Sequence, residues 1–208
     1  MIYFLKHLFH TKGVAYRYDQ IFKEVKKKRP KNIMEIGVWT GERARKMIAI
    51  SSKFHEADQI NYYGFDLFEP MNSEKFNKEV SKQPPALSEV RTKLEKTGVN
   101  IHLYKGDTTS TLPELEGKLP GMDFIFIDGG HSLETIASDW YYASKFVASD
   151  GVVIFDDYWA DRVDAGARMA VDSIDRNRYS VEILPVVDFF EKTEFGPLSI
   201  QLAKVTPR

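Results

Sequence analysis

Two short apolar runs that each end on aspartate constrain the fold of this chain more than any other feature. Residues 124–127 lead into Asp128, and residues 152–155 lead into Asp156 and Asp157. Runs of this length, rich in aromatic and β-branched residues, are typical of buried strands. Apolar residues at three- and four-residue steps between them predict a helix. The result is two parallel strands joined by a right-handed crossover, and ligands bind beyond the carboxyl ends of such strands.

Five further runs of the same kind predict the remaining strands, at 32–38, 60–67, 101–104, 180–187 and 198–205. The last two follow each other without a helix, and Gly196 and Pro197 stand between them, which indicates an antiparallel hairpin. The prediction is an α/β fold with a Rossmann-like, mostly parallel sheet of seven strands. Helices cover both faces of this sheet, and the antiparallel hairpin closes it at the C-terminus.

The length and composition suit one domain. A chain of 208 residues with 43% hydrophobic content can bury one well-developed α/β core. Apolar positions in residues 1–30 predict an N-terminal helical segment of two short helices, whose apolar faces would suit a homodimer. Residues 69–87 are polar and contain prolines, which predicts an insertion of the kind that forms a lid over an active site.

The charge and residue content argue against several classes of partner. A net charge of -1 gives no overall field that would attract nucleic acid or an anionic membrane. Cysteine is absent, which removes disulfides, thiolate metal sites and a cysteine nucleophile, and is typical of an intracellular protein. We recognise neither a signal peptide nor a transmembrane span. We therefore expect a cytoplasmic protein that acts on a small molecule.

A glycine-containing turn follows the first predicted strand. Glu35, Gly37 and Gly41 mark a strand end, a tight loop and the start of a helix. Glycines let the backbone approach a ligand, and a helix N-terminus offers unpaired N–H groups, although close packing alone would also require glycine. Asp66 ends the next strand, where a carboxylate can accept hydrogen bonds from both ribose hydroxyls of a nucleotide. An ordinary turn residue at a strand end is the other interpretation of Asp66.

A nicotinamide cofactor fits this turn poorly. Trp39 stands where the dinucleotide fingerprint has its middle glycine, and Glu35 would lie beside the pyrophosphate, an anion against an anion. A sulfonium cofactor that also carries an ammonium group tolerates an acidic loop much better. The charge of the loop therefore favours S-adenosyl-L-methionine.

These features, together with the pair Gly106-Asp107, the Asp-Gly-Gly-His run at 128–131 and the Asp-Asp-Tyr run at 156–158, resemble the motifs of class I S-adenosylmethionine-dependent methyltransferases. Within that superfamily the chain is most similar to the metal-dependent O-methyltransferases related to the macrocin and novobiocin sugar methyltransferases. The similarity covers about residues 32–158. It implies that residues 1–208 form a single methyltransferase domain that methylates a hydroxyl of a sugar or sugar-bearing small molecule.

The resemblance also assigns residues to the cofactor. Glu35 and Gly37 are expected at the methionine end, Asp66 at the ribose, and Asp107 with Thr108 at the adenine side. The full set expected to bind S-adenosyl-L-methionine is Glu35, Gly37, Gly41, Asp66, Asp107, Thr108 and Asp128.

A metal ion is expected at Asp128, Asp156 and Asp157. Three carboxylates in one crevice repel one another and raise one another's pKa unless a cation neutralises them, and hard oxygen ligands select Mg²⁺ or another divalent cation. Neighbouring strand residues point to opposite faces, so Asp156 and Asp157 can share an ion only if the chain turns at the strand end. Helix capping or solvation of a loop would be another reason for this pair of aspartates.

Two residues are candidates for the catalytic base. His131 comes first, because it follows the glycines at the crevice and histidine titrates near neutral pH. Asp128 is the second candidate and would act while bound to the metal. Two other hypotheses stay open: a metal-independent methyltransferase that acts on another small-molecule acceptor, and a non-catalytic cofactor-binding or scaffold protein of the same fold.

Overall fold

The structure is a computed structural model that describes residues 16–69, 83–164, 166–193 and 196–208. Its helices within these ranges are α1 (Tyr18–Lys28), α2 (Glu42–Ser51), α3 (Leu87–Glu95), α4 (Thr108–Glu114), α5 (Leu133–Phe146) and α6 (Arg168–Asp172). Its strands are β1 (Asn32–Ile36), β2 (Asn61–Asp66), β3 (Asn100–Lys105), β4 (Met122–Ile127), β5 (Val147–Trp159), β6 (Tyr179–Ile183), β7 (Asp188–Phe190) and β8 (Leu198–Pro207). None of the described helices is long and apolar enough to cross a membrane.

All these strands belong to one sheet, and its order confirms the predicted mostly parallel α/β fold. The sheet has eight strands among the described residues instead of the predicted seven, because β7 (Asp188–Phe190) is an additional short strand. The order is β3-β2-β1-β4-β5-β8-β6, with β7 paired to β8 outside this path. The pairs from β3 to β5 are parallel, whereas β8 runs antiparallel to β5, β6 and β7. The strand order reverses between β1 and β4, which is the point where open α/β sheets bind their ligands.

Hydrophobic residues cover both faces of the sheet, because consecutive residues of a strand point to opposite sides. On one face, Ile125 of β4 belongs to a buried cluster with Ile136 of α5. On the other face, Phe124 of β4 belongs to a second cluster with Ile21 of α1 and Met47 of α2. Burial on both sides is the reason that residues 124–127 of β4 form a continuous apolar run.

Several predicted helices have different bounds in the structure. The helix expected over 165–174 is limited to Arg168–Asp172 within the described residues. Helix α4 was not predicted, and it begins directly after Asp107, whose side chain accepts the backbone N–H of Thr109 at 3.0 Å as an N-cap. The first expected N-terminal helix and most of the proline-containing insertion lie outside the described residues.

The sequence predicted that strand β5 ends at Asp156, but the strand is longer in the structure. It continues to Trp159, and its pairing with β8 shifts register between Phe155 and Tyr158. Asp157 has a φ of 53°, a left-handed conformation that is uncommon for a residue other than glycine. This β-bulge supplies the turn that the sequence argument had required, so neighbouring carboxylates can reach the same site.

Candidate active site

The carboxyl ends of the central strands meet at one edge of the sheet. The N–H of Gly37, just after β1, donates to the carbonyl of Phe65 in β2 at 2.9 Å. The N–H of Asp128, just after β4, donates to the carbonyl of Ile36 at 2.7 Å. These bonds align the ends of β1, β2 and β4, so the side chains that follow them surround a common cleft.

Glu35 is a fully buried carboxylate at the end of β1. The hydroxyl of Tyr62 donates to its Oε2 atom, whereas Oε1 has no hydrogen-bond partner. Arg43, in the first turn of α2, places its Nε 3.7 Å from this Oε1, and that Nε also lacks a hydrogen-bond partner. Burial raises the pKa of Glu35 to about 7, although Arg43 and Tyr62 act in the opposite direction.

Packing requires glycine at position 37, and a positive φ favours glycine at position 41; close packing was the alternative that the sequence left open. Gly37 has a φ of 90°, and a Cβ at this position would lie 1.8 Å from the backbone oxygen of Asp128. Gly41 has a φ of 74°, and a Cβ there would lie 3.3 Å from the side chain of Val90 in α3. Both glycines therefore have a structural role, whether or not they also contact a ligand.

Asp66 and Asp107 lie next to each other at the ends of β2 and β3. The N–H of Gly106 donates to the carbonyl of Asp66 at 3.0 Å. The Asp66 side chain accepts the backbone N–H of Trp39 at 2.7 Å, which ties it to the glycine loop. The Asp107 side chain accepts both the N–H and the hydroxyl of Thr109, at 3.0 and 2.7 Å. Both aspartates thus act as turn or cap residues at the place predicted for a nucleoside.

Asp128, Asp156 and Asp157, called the acidic cluster below, come together as predicted. Each offers one carboxylate oxygen, and these oxygens all lie within 4.8 Å of one another. Asp128 follows β4, and the other two lie on the bulge of β5. Burial raises the pKa of Asp128, and the neighbouring charges of Asp156 and Asp157 add to this effect, while Arg43 opposes it through a direct ion pair.

An arginine that was not predicted from the sequence, Arg17, binds this cluster. Arg17 precedes α1 and is only 5% exposed. Its Nε donates to Oδ1 of Asp156 at 2.7 Å and its Nη2 to Oδ2 at 3.0 Å. Its Nη1 donates to Asp188 of β7 at 2.9 Å, and Nη2 lies 3.6 Å from Asp157. The cation needed to neutralise these carboxylates is therefore provided, at least in part, by the chain itself.

His131 forms a partly buried ion pair with the cluster. Its Nε2 lies 2.7 Å from Oδ2 of Asp157. Burial disfavours the charged imidazole, but the hydrogen bond and charge of Asp157 outweigh this and raise the pKa of His131 to about 9. Burial would raise the pKa of Asp157, yet His131 and Arg17 lower it to about 2. His131 therefore carries a proton at neutral pH in this state, whereas the sequence suggested titration near neutral.

Similarity to known proteins agrees with this architecture. The family model described as a methyltransferase domain matches residues 34–158. The chain belongs to this methyltransferase family. The matched region begins within β1 and ends just after the bulge of β5, so it includes the glycine loop and the whole acidic cluster.

One relative gives little guidance about function. The chain is 24% identical over 144 residues to Uncharacterized protein R132 of Acanthamoeba polyphaga mimivirus, an alignment that covers 60% of this chain and 65% of that protein. The chain thus spans less than two thirds of the length of this relative.

Solved structures share the fold of this chain at low sequence identity. The O-methyltransferase TomG of Streptomyces achromogenes, solved with SAM, has a TM-score of 0.61 at 16% identity over 94% of this chain and 82% of its own. An O-methyltransferase of Bacillus cereus, solved with SAH, has a TM-score of 0.58 at 15% identity over 99% and 87%. An rRNA methylase of Streptococcus thermophilus has a TM-score of 0.60 at 9% identity over 94% and 99%. Identities this low support the fold and leave the acceptor open.

The residues present are chemically compatible with the two groups that the sequence resemblance implies, a sulfonium cofactor and a divalent cation. The unpaired Oε1 of Glu35 is a buried acceptor of the kind that suits a cationic group at the glycine loop. The acidic cluster offers hard oxygen donors at the spacing of a divalent cation site. Arg17 already forms hydrogen bonds to both carboxylate oxygens of Asp156. A metal ion bound by all three aspartates would therefore have to share these oxygens with Arg17 or displace it.

Four residues that shape the site were not predicted from the sequence: Arg17, Arg43, Tyr62 and Asp188. A signal existed for Arg43, because it stands in the first turn of a helix that follows a glycine loop, and a side chain there reaches the strand ends. Tyr62 lies on β2, four residues before Asp66, and β2 pairs directly with β1, the strand that contains Glu35. Arg17 and Asp188 gave no local signal, since they meet across 171 residues of sequence.

Proposed function

We propose that this methyltransferase uses S-adenosyl-L-methionine to methylate a hydroxyl oxygen of a small molecule, with a sugar or sugar-bearing metabolite as the favoured acceptor. One observation carries the proposal: a buried carboxylate with an unpaired oxygen, Glu35, lies at the glycine loop of β1 beside an acidic cluster at β4 and β5. A cationic cofactor suits the first feature, and a polar hydroxyl acceptor suits the second. The family match and the related O-methyltransferases solved with SAM or SAH support this assignment.

The cofactor would lie along the ends of β1 to β4. Glu35 and the loop of Gly37 and Gly41 would receive the methionine part, Asp66 the ribose, and Asp107 with Thr108 the adenine. Asp128 would stand where the cofactor meets the acceptor. Asp66 is suited to its role because the N–H of Trp39 at 2.7 Å fixes its carboxylate, which reduces the entropy lost when a ribose binds.

The chemical step needs alignment and one proton transfer. The acceptor oxygen forms a bond to the methyl carbon, the carbon–sulfur bond breaks, and its electron pair stays on sulfur to give S-adenosylhomocysteine. The hydroxyl proton passes to a base, which is either Asp128 or His131 after it has lost the proton that it carries at neutral pH in this structure. Asp157 orients the His131 ring through Nε2, as a carboxylate orients the base in other catalytic sites.

A divalent cation would be held by Asp128, Asp156 and Asp157. When bound there, it would lower the pKa of a coordinated hydroxyl and orient a pair of neighbouring hydroxyls. A second candidate function, metal-independent methylation, is favoured by the contacts of Arg17 and Arg43, which already neutralise part of the acidic cluster.

Isothermal titration with S-adenosylhomocysteine tests the cofactor. We expect micromolar binding, weakened by at least about tenfold in Asp66→Ala, since hydrogen bonds to the ribose would be lost. Asp123→Ala is a matched control, because Asp123 likewise accepts a backbone N–H at 2.7 Å, from Lys31, but lies at the amino end of β4. Absence of binding both with and without Mg²⁺ would reject the proposal.

Methyl transfer to sugars with neighbouring hydroxyls then separates the remaining hypotheses. Loss of turnover on addition of EDTA, with recovery in Mg²⁺, supports the metal-dependent enzyme. Turnover that is unchanged by EDTA supports the metal-independent one. Tight binding of S-adenosylhomocysteine without transfer to any hydroxyl, amine or other acceptor would leave the non-catalytic scaffold protein.

A further inference from the structure

Asp156 has no free coordination position in the present structure. Its Oδ1 accepts hydrogen bonds from Nε of Arg17 at 2.7 Å and from the N–H of Asp157 at 2.8 Å. Its Oδ2 accepts from Nη2 of Arg17 at 3.0 Å and from the hydroxyl of Tyr18 at 2.8 Å. A carboxylate offers about four lone-pair positions in all. A metal ion can therefore bind Asp156 only if one of these donors moves away.

Arg17 is the donor that a metal ion would displace. It is the cationic one among the donors to Asp156, so it is repelled when an ion binds the same carboxylate, whereas Tyr18 and the backbone N–H are neutral. Its second partner, Asp188, lies outside the acidic cluster. Asp188 accepts Nη1 of Arg17 at 2.9 Å and also the backbone N–H of Arg17 at 3.3 Å. Arg17 can thus leave Asp156 and keep a buried counter-charge.

We propose that Arg17 and a divalent cation compete for Asp156 and Asp157, so that Arg17 sets how tightly the acidic cluster binds metal. Arg17 holds the cluster together when no ion is present, and it turns toward Asp188 when an ion binds. The inference deepens the proposed function and rests on its assignment of the cluster as a metal site. It predicts a result that structural damage rarely produces: removal of Arg17 strengthens binding of metal.

The direct test uses Mn²⁺ alone as the probe, with protein stripped by EDTA and free ion measured by its electron paramagnetic resonance signal. We expect Arg17→Met to bind Mn²⁺ at least about tenfold more tightly than the wild type, because the competing cation is gone. Arg45→Met makes the same change of charge at an exposed arginine that pairs with Glu42, and it should leave the affinity unchanged. In the Arg17→Met background, Asp156→Asn should abolish the gain.

A second variant keeps the test decisive if Arg17→Met does not fold. Arg17→Lys retains one charge but cannot bind both oxygens of Asp156 and reach Asp188 as well, so we expect it to fold and to bind Mn²⁺ more tightly than the wild type, by less than Arg17→Met. If neither variant binds more tightly than the wild type, or if the gain persists in Asp156→Asn, the proposal is wrong. Titration of the same samples with S-adenosylhomocysteine reports on the proposed function separately, since cofactor binding does not require displacement of Arg17.

Discussion

Arg43 and Arg17 each place a guanidinium between carboxylates, but the hydrogen-bonding groups of Arg17 are better satisfied than those of Arg43. All three guanidinium nitrogens of Arg17 donate hydrogen bonds, to Asp156, Asp188 and Tyr18. Arg43 binds Asp128 through Nη2, yet its Nε stands 3.7 Å from Glu35 without a hydrogen bond. In the half of the cleft at β5 and β7, the guanidinium is therefore fully hydrogen-bonded. The half at β1 contains two buried polar atoms without a hydrogen-bond partner, Oε1 of Glu35 and Nε of Arg43.

This difference indicates how each half responds to a ligand. A buried polar atom without a partner carries a desolvation cost that a ligand or a small rearrangement can remove. A saturated carboxylate has no such cost, so a ligand must compete with the contacts already present. We therefore expect a ligand at the glycine loop to add new contacts without breaking existing ones. A ligand at the acidic cluster should replace some of the contacts that are already present.

The two halves also depend on different parts of the chain. Left-handed backbone shapes the loop at β1, including Gly37 and Trp39 with φ angles of 90° and 46°. Ion pairs between distant side chains shape the half at β5 and β7, where Arg17 and Asp188 are 171 residues apart. A change in backbone should harm the first half most, and a change in charge the second.

The largest effect is expected from Gly37→Ala. The new Cβ would lie 1.8 Å from the backbone oxygen of Asp128, and the φ of 90° is strained for alanine. The end of β1 would have to separate from β4, which we expect to cost more than about 4 kcal/mol in the free energy of unfolding. Urea denaturation followed by circular dichroism measures this loss. Gly117→Ala is a matched control, because Gly117 has a φ of 72° but nothing within 4 Å of the added Cβ. A similar loss in both variants would show that backbone strain, and not the contact with β4, is the cause.

The next effect concerns the unsatisfied pair. Arg43→Met leaves both Glu35 and Asp128 without their cation, so we expect a loss of about 3–5 kcal/mol in the free energy of unfolding. The double variant Glu35→Gln, Arg43→Met should lose less than the sum of the two single variants, because the uncompensated charge on Glu35 is absent. Additive losses in this double-mutant cycle would show that the 3.7 Å pair contributes no coupling and would weaken the contrast with Arg17.

A third prediction uses the pKa of Glu35, which burial raises from 4.5 to about 7. The folded state binds the proton more tightly than the unfolded chain does, so this group's contribution to stability is complete below pH 4.5 and is lost as the pH rises through about 7. Arg43, Asp66 and Tyr62 are the charged and titratable groups that face it. The pH dependence between 5 and 7.5, of about 2–3 kcal/mol by linkage, should disappear in Glu35→Gln. An unchanged slope in the variant would assign the dependence to other carboxylates.

The sequence predicted the parts of the fold and site that local patterns encode. Buried strands that end on aspartate gave the sheet, its hairpin and the meeting of Asp128, Asp156 and Asp157, because apolar runs and strand ends are local features. The bulge at Asp157 was not predictable in detail, since it depends on the shift in pairing with β8. The neutralising role of Arg17 depends on contacts across the whole chain, and no pattern around residue 17 encodes them.

The smallest effect separates two roles of a single residue on the cofactor side. Asp107 caps α4 through its bond to the N–H of Thr109 at 3.0 Å, and it is also proposed to bind the adenine side of the cofactor. Asp107→Ala should lower the free energy of unfolding by about 1 kcal/mol, whereas Asp107→Asn should retain most of it, because asparagine is an equally good N-cap. If the residue also contacts the cofactor, Asp107→Asn will weaken binding of S-adenosylhomocysteine at nearly full stability, since an amide oxygen accepts hydrogen bonds less strongly than a carboxylate. Equal binding by Asp107→Asn and the wild type would restrict the carboxylate to its structural role, and the adenine side would then depend on backbone groups at the start of α4.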